Sequence, residues 1–262
     1  SAAGVVVGVA NGEILAMASV PGYDPNLFVG GIRSDEWTRL VSDPLRPLVD
    51  KTIGGEFAPG STFKMIVGLA ALQAGLVSPD RRVTCSGTYR LGSSLFHCWK
   101  RGGHGSLDMA GAIAQSCDVY FYDTALLTGV DAIASMGRRF GLGQRFELGL
   151  PGERPGLLPT TVWKAANFDE SWQRGETVVT GIGQGYVTAT PLQLAIMTAR
   201  LVNGGIAVRP RLLRGDATDD RRSEATPLID LPRTWLDLMR TAMARVVNRP
   251  SGTAYRARIL DP

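Results

Sequence analysis

The sequence predicts a mixed α/β (α+β) fold in one domain. The observations behind this are a valine-rich hairpin at the start, a series of apolar stretches at helical spacing after it, and no internal repeat or low-complexity tract over 262 residues. A chain of this length can bury a substantial core. Composition is ordinary for a globular protein, 44% hydrophobic and 20% charged. Net charge is +4, from 28 basic and 24 acidic residues, with no Lys/Arg run, which argues against a nucleic-acid-binding stripe. Arg209, Arg211 and Arg214 form a small basic cluster, read as a solvated loop. No stretch reaches the ~18–20 continuous apolar residues of a membrane span, and no signal peptide opens the chain. Ser1-Ala2-Ala3 runs straight into strand-like sequence, so the chain is expected to be a piece of a longer polypeptide.

Taken in order, residues 3–10 and 13–20 read as two strands joined at Asn11-Gly12, the strongest two-residue hairpin signal. Pro21-Gly22-Tyr23-Asp24-Pro25-Asn26 breaks regular structure, and residues 32–53 hold short helical fragments, one over 34–41. After Pro59-Gly60, apolar residues at Phe63, Ile66, Val67, Leu69, Ala70 and Leu72 predict a helix that stops at Ala74-Gly75. Residues 78–105 read as a loop-rich insert. Asp108 caps the next helix, Ser116-Cys117-Asp118 interrupts it, and 119–127 resumes it. A short helix covers 131–140, and 149–185 holds most of the Pro/Gly turns. Thr190-Pro191-Leu192-Gln193 combines a cap, a first-turn proline and a capping box, opening a helix to Val202. Residues 215–226 are polar and read as mobile; a last amphipathic helix spans 233–247.

The informative chemistry begins at Pro59-Gly60-Ser61-Thr62-Phe63-Lys64. One helical turn puts Ser61 and Lys64 on the same face. A serine hydroxyl needs a base within hydrogen-bond reach to become a nucleophile, and lysine serves only as the neutral amine. Taken alone, the tetrapeptide also fits a capping serine followed by an exposed lysine.

Three segments in order resolve that ambiguity by resemblance. Ser61 and Lys64 match the first motif of the serine β-lactamase and penicillin-binding superfamily. Ser116-Cys117-Asp118, some fifty residues on, matches its second motif. The run 181–194, Gly-Ile-Gly-Gln-Gly-Tyr-Val-Thr-Ala-Thr-Pro-Leu-Gln-Leu, resembles class B penicillin-binding proteins of the rod-elongation type rather than β-lactamases. The hairpin with its Pro21 to Asn26 exit and the segment 99–122 fit that group too, so the likeness spans nearly all of residues 1–262. It implies a transpeptidase fold, a central antiparallel sheet flanked by helices, in a single domain. It also implies acyl transfer from peptidoglycan stem peptides ending in D-Ala-D-Ala, with β-lactams as inhibitors. In that scheme Ser61 is the nucleophile, Lys64 the base, Ser116 the proton relay and Asp118 a hydrogen-bond acceptor. A carboxylate at 118, where relatives often have Asn, favours the charged amine, so the protonation state of Lys64 stays open at this level.

The third family motif, Lys-Thr-Gly, is not in the chain; Lys51-Thr52-Ile53-Gly54 precedes Ser61 and has the wrong spacing. In the family it follows a segment like residues 247–256, so the sheet is expected to be incomplete at the C-terminus. The family's membrane anchor and pedestal domain are expected to be absent as well. The oxyanion hole would combine the Ser61 N–H with a donor from that strand. The fragment as given is therefore expected to be inactive or weakly active, since one lost donor costs ~10²–10³ in rate.

Three cysteines cannot all pair within one chain. Cys85, Cys98, His104 and Cys117 are separated by twelve, five and twelve residues, and three thiolates with one imidazole make a closed tetrahedral set for structural zinc. The spacing is not that of a finger, and buried free thiols beside a surface histidine fit it as well. Two considerations favour zinc. The insert has little core of its own, and some relatives of the rod-elongation type carry zinc at matching places, with aspartates where Cys85 and Cys98 stand. His97 is a neighbouring alternative, but the resemblance at residues 99–105 favours His104. The resemblance also implies a periplasmic site on the inner membrane, beside a lipid-linked glycan polymerase and other elongation proteins. A β-lactamase or β-lactam sensor, and a non-catalytic scaffold, are the rival readings.

Overall fold

The computed structural model describes residues 1–213 and 228–259. Its elements follow the apolar pattern closely. Strands β1 (Ala2–Val7) and β2 (Ile14–Val20) pair antiparallel, Ala2 opposite Val20, with a register shift at Val6/Val7. The connection is longer than the two-residue turn expected at Asn11-Gly12: the Gly8 N–H bonds to the Glu13 carbonyl and Gly12 to Gly8. Arg211 reaches back to Glu13 at 3.0 Å, so that member of the basic cluster is tied to the hairpin, whereas Arg209 is exposed and Arg214 lies outside the described residues.

Helices α1 (Ser34–Ser42) and α2 (Lys51–Gly54) follow. A 3₁₀ turn at Gly60–Phe63 leads into α3 (Lys64–Gln73), which is apolar on all sides and buried from Lys64 to Leu72. Around it pack α4 (Met109–Ala114), α5 (Asp118–Thr128), α6 (Val130–Arg139) and α10 (Arg233–Asn248). Phe63, Ile66, Leu69, Met109, Phe121, Ile133 and Met239 form the centre of that core. A smaller apolar cluster fixes the hairpin: Val5, Val7, Ile14 and Met17 pack on Ile53 of α2 and on Leu192 and Ile196 of α9 (Pro191–Val202). Thr190 caps α9 with the expected reciprocal box to Gln193.

Two expectations need correction. The insert is not merely loop: β3 (Val83–Cys85) pairs with β6 (Gly105–Leu107), and β4 (Thr88–Leu91) with β5 (Ser94–His97). The strands are three or four residues long, too short for period-two patterning to be read in sequence. Residues 149–185 contain α7 (Thr161–Phe168) and α8 (Arg174–Thr180) among their turns. Lys164 of α7 is buried and bonds Glu176 of α8 at 2.8 Å and the Tyr186 hydroxyl at 3.0 Å, over the rings of Phe168 and Tyr186. These hydrogen bonds push the Lys164 ammonium above the ordinary lysine range. The mobility expected at 215–226 lies outside the described residues.

Candidate active site and metal cluster

The 3₁₀ turn before α3 leaves Ser61 exposed and turns Lys64 inward, where it is 1% exposed. The second motif sits in the break between α4 and α5. Ser116 there has φ +51°, a left-handed conformation unusual for a residue with a Cβ, while Cys117 is extended and Asp118 opens α5. The break aims the Ser116 hydroxyl at the turn and places Asp118 at a helix N-terminus, where a carboxylate is favoured.

The four side chains form one hydrogen-bonded line. Ser116 Oγ lies 2.8 Å from Ser61 Oγ, and Lys64 Nζ lies 3.1 Å from Ser116 Oγ. Lys64 Nζ also donates to the Ser116 carbonyl at 3.0 Å and to Asp118 Oδ1 at 2.7 Å. The amine thus reaches Ser61 through Ser116; among the described residues no direct Lys64–Ser61 hydrogen bond is formed. Asp118 Oδ2 accepts the backbone N–H of Trp99 at 2.9 Å. The line opens into a cleft of about 590 Å³ walled by Gly60, Trp99, Ile182 and Gln184, with Thr253 at its edge.

The run 181–185 braces the turn that carries Ser61. The Gly60 N–H donates to the Gly183 carbonyl at 2.8 Å, and Gly183 has φ +70° with Gly60 so close that a Cβ would overlap its backbone. Only glycine meets both demands.

Beside this line lies the sulfur cluster. The side-chain ligand atoms of Cys85, Cys98, His104 and Cys117 all fall within 4.8 Å of one another. Short ladders bring them there: Cys85 pairs with Gly105, the His104 N–H donates to the Cys85 carbonyl, and the Cys98 N–H to Gly87. His104 Nδ1 lies 3.5 Å from both Cys85 Sγ and Cys98 Sγ. The donors fit a zinc ion: ligand distances of about 2.0–2.3 Å around one centre give ligand–ligand separations of this order. The three cysteines are free and buried, and His104 Nε2 is buried without a partner. Burial pushes the Cys117 thiol well up and the His104 imidazole down, so without a metal both are held neutral. His97 lies exposed on β5, away from this set.

Sequence reasoning missed Trp99. Its indole Nε1 donates to the carbonyls of Gln115 and Ser116 at 3.1 and 3.0 Å, and its ring meets His104 edge-on at 5.3 Å between centroids. The available signal was an aromatic residue immediately after a cysteine in an otherwise polar loop.

A family model described as the penicillin-binding protein transpeptidase domain matches residues 2–261. The chain belongs to that family. Within it, the peptidoglycan D,D-transpeptidase MrdA of Escherichia coli K12 is 37% identical over 262 residues, 97% of this chain and 41% of that protein. The chain thus spans well under half the length of that curated relative. The penicillin-binding protein 2 of Pseudomonas aeruginosa, solved in complex with WCK 5153, is 40% identical with a TM-score of 0.89, covering 97% of this chain and 56% of the other. That of Helicobacter pylori, solved in complex with MreC, is 34% identical with a TM-score of 0.87, covering 97% and 47%. The transpeptidase fold expected from the three motifs is therefore the fold of this chain.

Proposed function

We propose that this chain carries the nucleophile and proton relay of a peptidoglycan D,D-transpeptidase of the elongation type, and that the full-length protein performs the acyl transfer. The observation that supports it above all others is the unbroken line Ser61–Ser116–Lys64–Asp118 at the floor of an open cleft. Ser61 Oγ attacks the carbonyl of the penultimate D-Ala and forms an ester. Its proton passes to Ser116 Oγ as the Ser116 hydroxyl proton passes to the neutral amine of Lys64, the base in this scheme. As the peptide C–N bond breaks, Ser116 gives its hydroxyl proton to the leaving D-Ala amine and takes one back from Lys64. An acceptor amine on a second stem peptide then attacks the ester, its proton retraces the path, and Ser61 is regenerated as the cross-link forms. Asp118 anchors Lys64 from behind, and the Ser61 N–H polarises the attacked carbonyl.

Cys85, Cys98, His104 and Cys117 would hold a zinc ion, which would supply a structural cross-link. Cys117 is the middle residue of the second motif, so the cluster pins Ser116 and Asp118 to the insert. The natural setting is the periplasmic face of the inner membrane, with a lipid-linked glycan polymerase and other elongation proteins as partners. MreC, found on the Helicobacter pylori relative, is a further candidate. Among the described residues, no helix is long and apolar enough to cross a membrane.

Intact-mass measurement of the full-length gene product tests the reading. One penicillin adduct per chain is expected, and none on a Ser61→Ala variant. An adduct that persists in that variant, or rapid release of hydrolysed penicillin, would overturn it.

A further inference from the structure

Trp99 has more contacts to the motif residues than packing requires. Its backbone N–H holds Asp118 Oδ2, while Asp118 Oδ1 receives Lys64. Its indole N–H and Lys64 Nζ both donate to the Ser116 carbonyl, each at 3.0 Å. That carbonyl belongs to the residue held at φ +51°, so two donors from opposite elements keep the left-handed turn in place. Yet the residue is 57% exposed, lines the cleft together with Ile182, and is not part of the buried core. A large aromatic left half-open beside a nucleophile is poorly explained by stability alone.

We propose that Trp99 is a positioning and specificity residue of the acyl-transfer site. The proposal rests on the transpeptidase reading above. Its indole N–H fixes the Ser116 carbonyl, and so the line from Lys64 to Ser61, while its exposed ring gives the acyl part of the bound substrate or β-lactam an apolar wall. The two roles separate by variant. Trp99→Phe keeps an aromatic wall and loses the N–H; Trp99→Ala loses both.

The experiment measures acylation of the full-length gene product by a fluorescent penicillin, resolved into the pre-acylation dissociation constant and the acylation rate constant. Bound zinc and melting temperature are measured on the same samples. In Trp99→Phe the rate constant is expected to fall about fivefold, the scale of one lost hydrogen bond, with the dissociation constant unchanged. In Trp99→Ala the same fall is expected together with a dissociation constant raised about fivefold. Wild-type constants in both variants would overturn the proposal while leaving the transpeptidase reading standing. So would a fall that tracks loss of bound zinc, because Trp99 would then act only through the metal cluster. A wild-type protein that penicillin does not acylate overturns the reading and this proposal together.

Discussion

Ser116 combines an unfavourable backbone with the side chain proposed to relay the proton. A left-handed residue with a Cβ costs on the order of 1–3 kcal/mol, and here the cost is offset by donors from Lys64 and Trp99 to its carbonyl. Ser116→Gly separates the two: glycine accepts that backbone freely but has no hydroxyl. Acylation by penicillin should fall by about 10²–10⁴, the range of general acid–base catalysis, with stability within about 1 kcal/mol of wild type. Stopped-flow labelling and thermal melts check this, and a parallel collapse of stability would show the hydroxyl to be structural. At this scale sequence named Ser61, Lys64, Ser116 and Asp118, because motif spacing encodes their residue types. It could not show that Lys64 reaches Ser61 through Ser116, since that depends on where a break between two helices aims one side chain.

At the scale of elements, the segment from α8 to α9 is a brace for the nucleophile turn. Gly183 lies against Gly60 with φ +70°, and its carbonyl receives the Gly60 N–H. Gly183→Ala would meet both a left-handed backbone and a steric overlap with backbone that cannot rotate away. A loss of at least about 2 kcal/mol is expected, or roughly 4–8 °C in melting temperature, together with slower acylation as the turn moves. An alanine variant that melts and acylates like wild type would show the two segments to be independent. Behind this brace, α7 and α8 are latched by Lys164 and Glu176. Partial burial works against the Glu176 carboxylate, but the Gln173 N–H and Lys164 together outweigh it and hold its carboxyl below the usual range. Sequence read α3, α9 and α10 well, since each has a sustained apolar period and clear end signals. It missed α7 and α8, seven or eight residues each among turns, because helices so short draw their stability from contacts rather than propensity.

Across the whole molecule, the insert is tied to the helical core through the cluster that includes Cys117. Its strands pair in two small ladders and lay Val83, Tyr89, Leu91, Phe96 and Leu107 on the core, and the proposed zinc would add to the stability those contacts give. Removing the metal with a chelator should lower the melting temperature by about 5–10 °C, equivalent to a few kcal/mol for a chain of this size. It should also make three thiols titratable where the metal-loaded protein shows none. Purified protein with no bound zinc and freely reactive thiols would remove the metal from the account. Loss of the metal should slow acylation as well, because Cys117 is bonded on either side to Ser116 and Asp118.

The order of elements could be read directly from the chain because it rests on local spacing, while the two motifs and the four metal-type donors were legible through the family resemblance, their own spacing being too common to single them out. Tertiary structure decided the rest. It brought Trp99 onto Asp118 and the Ser116 carbonyl, set Gly183 against Gly60, and drew the four sulfur and imidazole donors to within 4.8 Å of one another. These are contacts between segments far apart in sequence, created by packing α3 against α5 and by ladders too short to leave a pattern, and no local spacing encodes them.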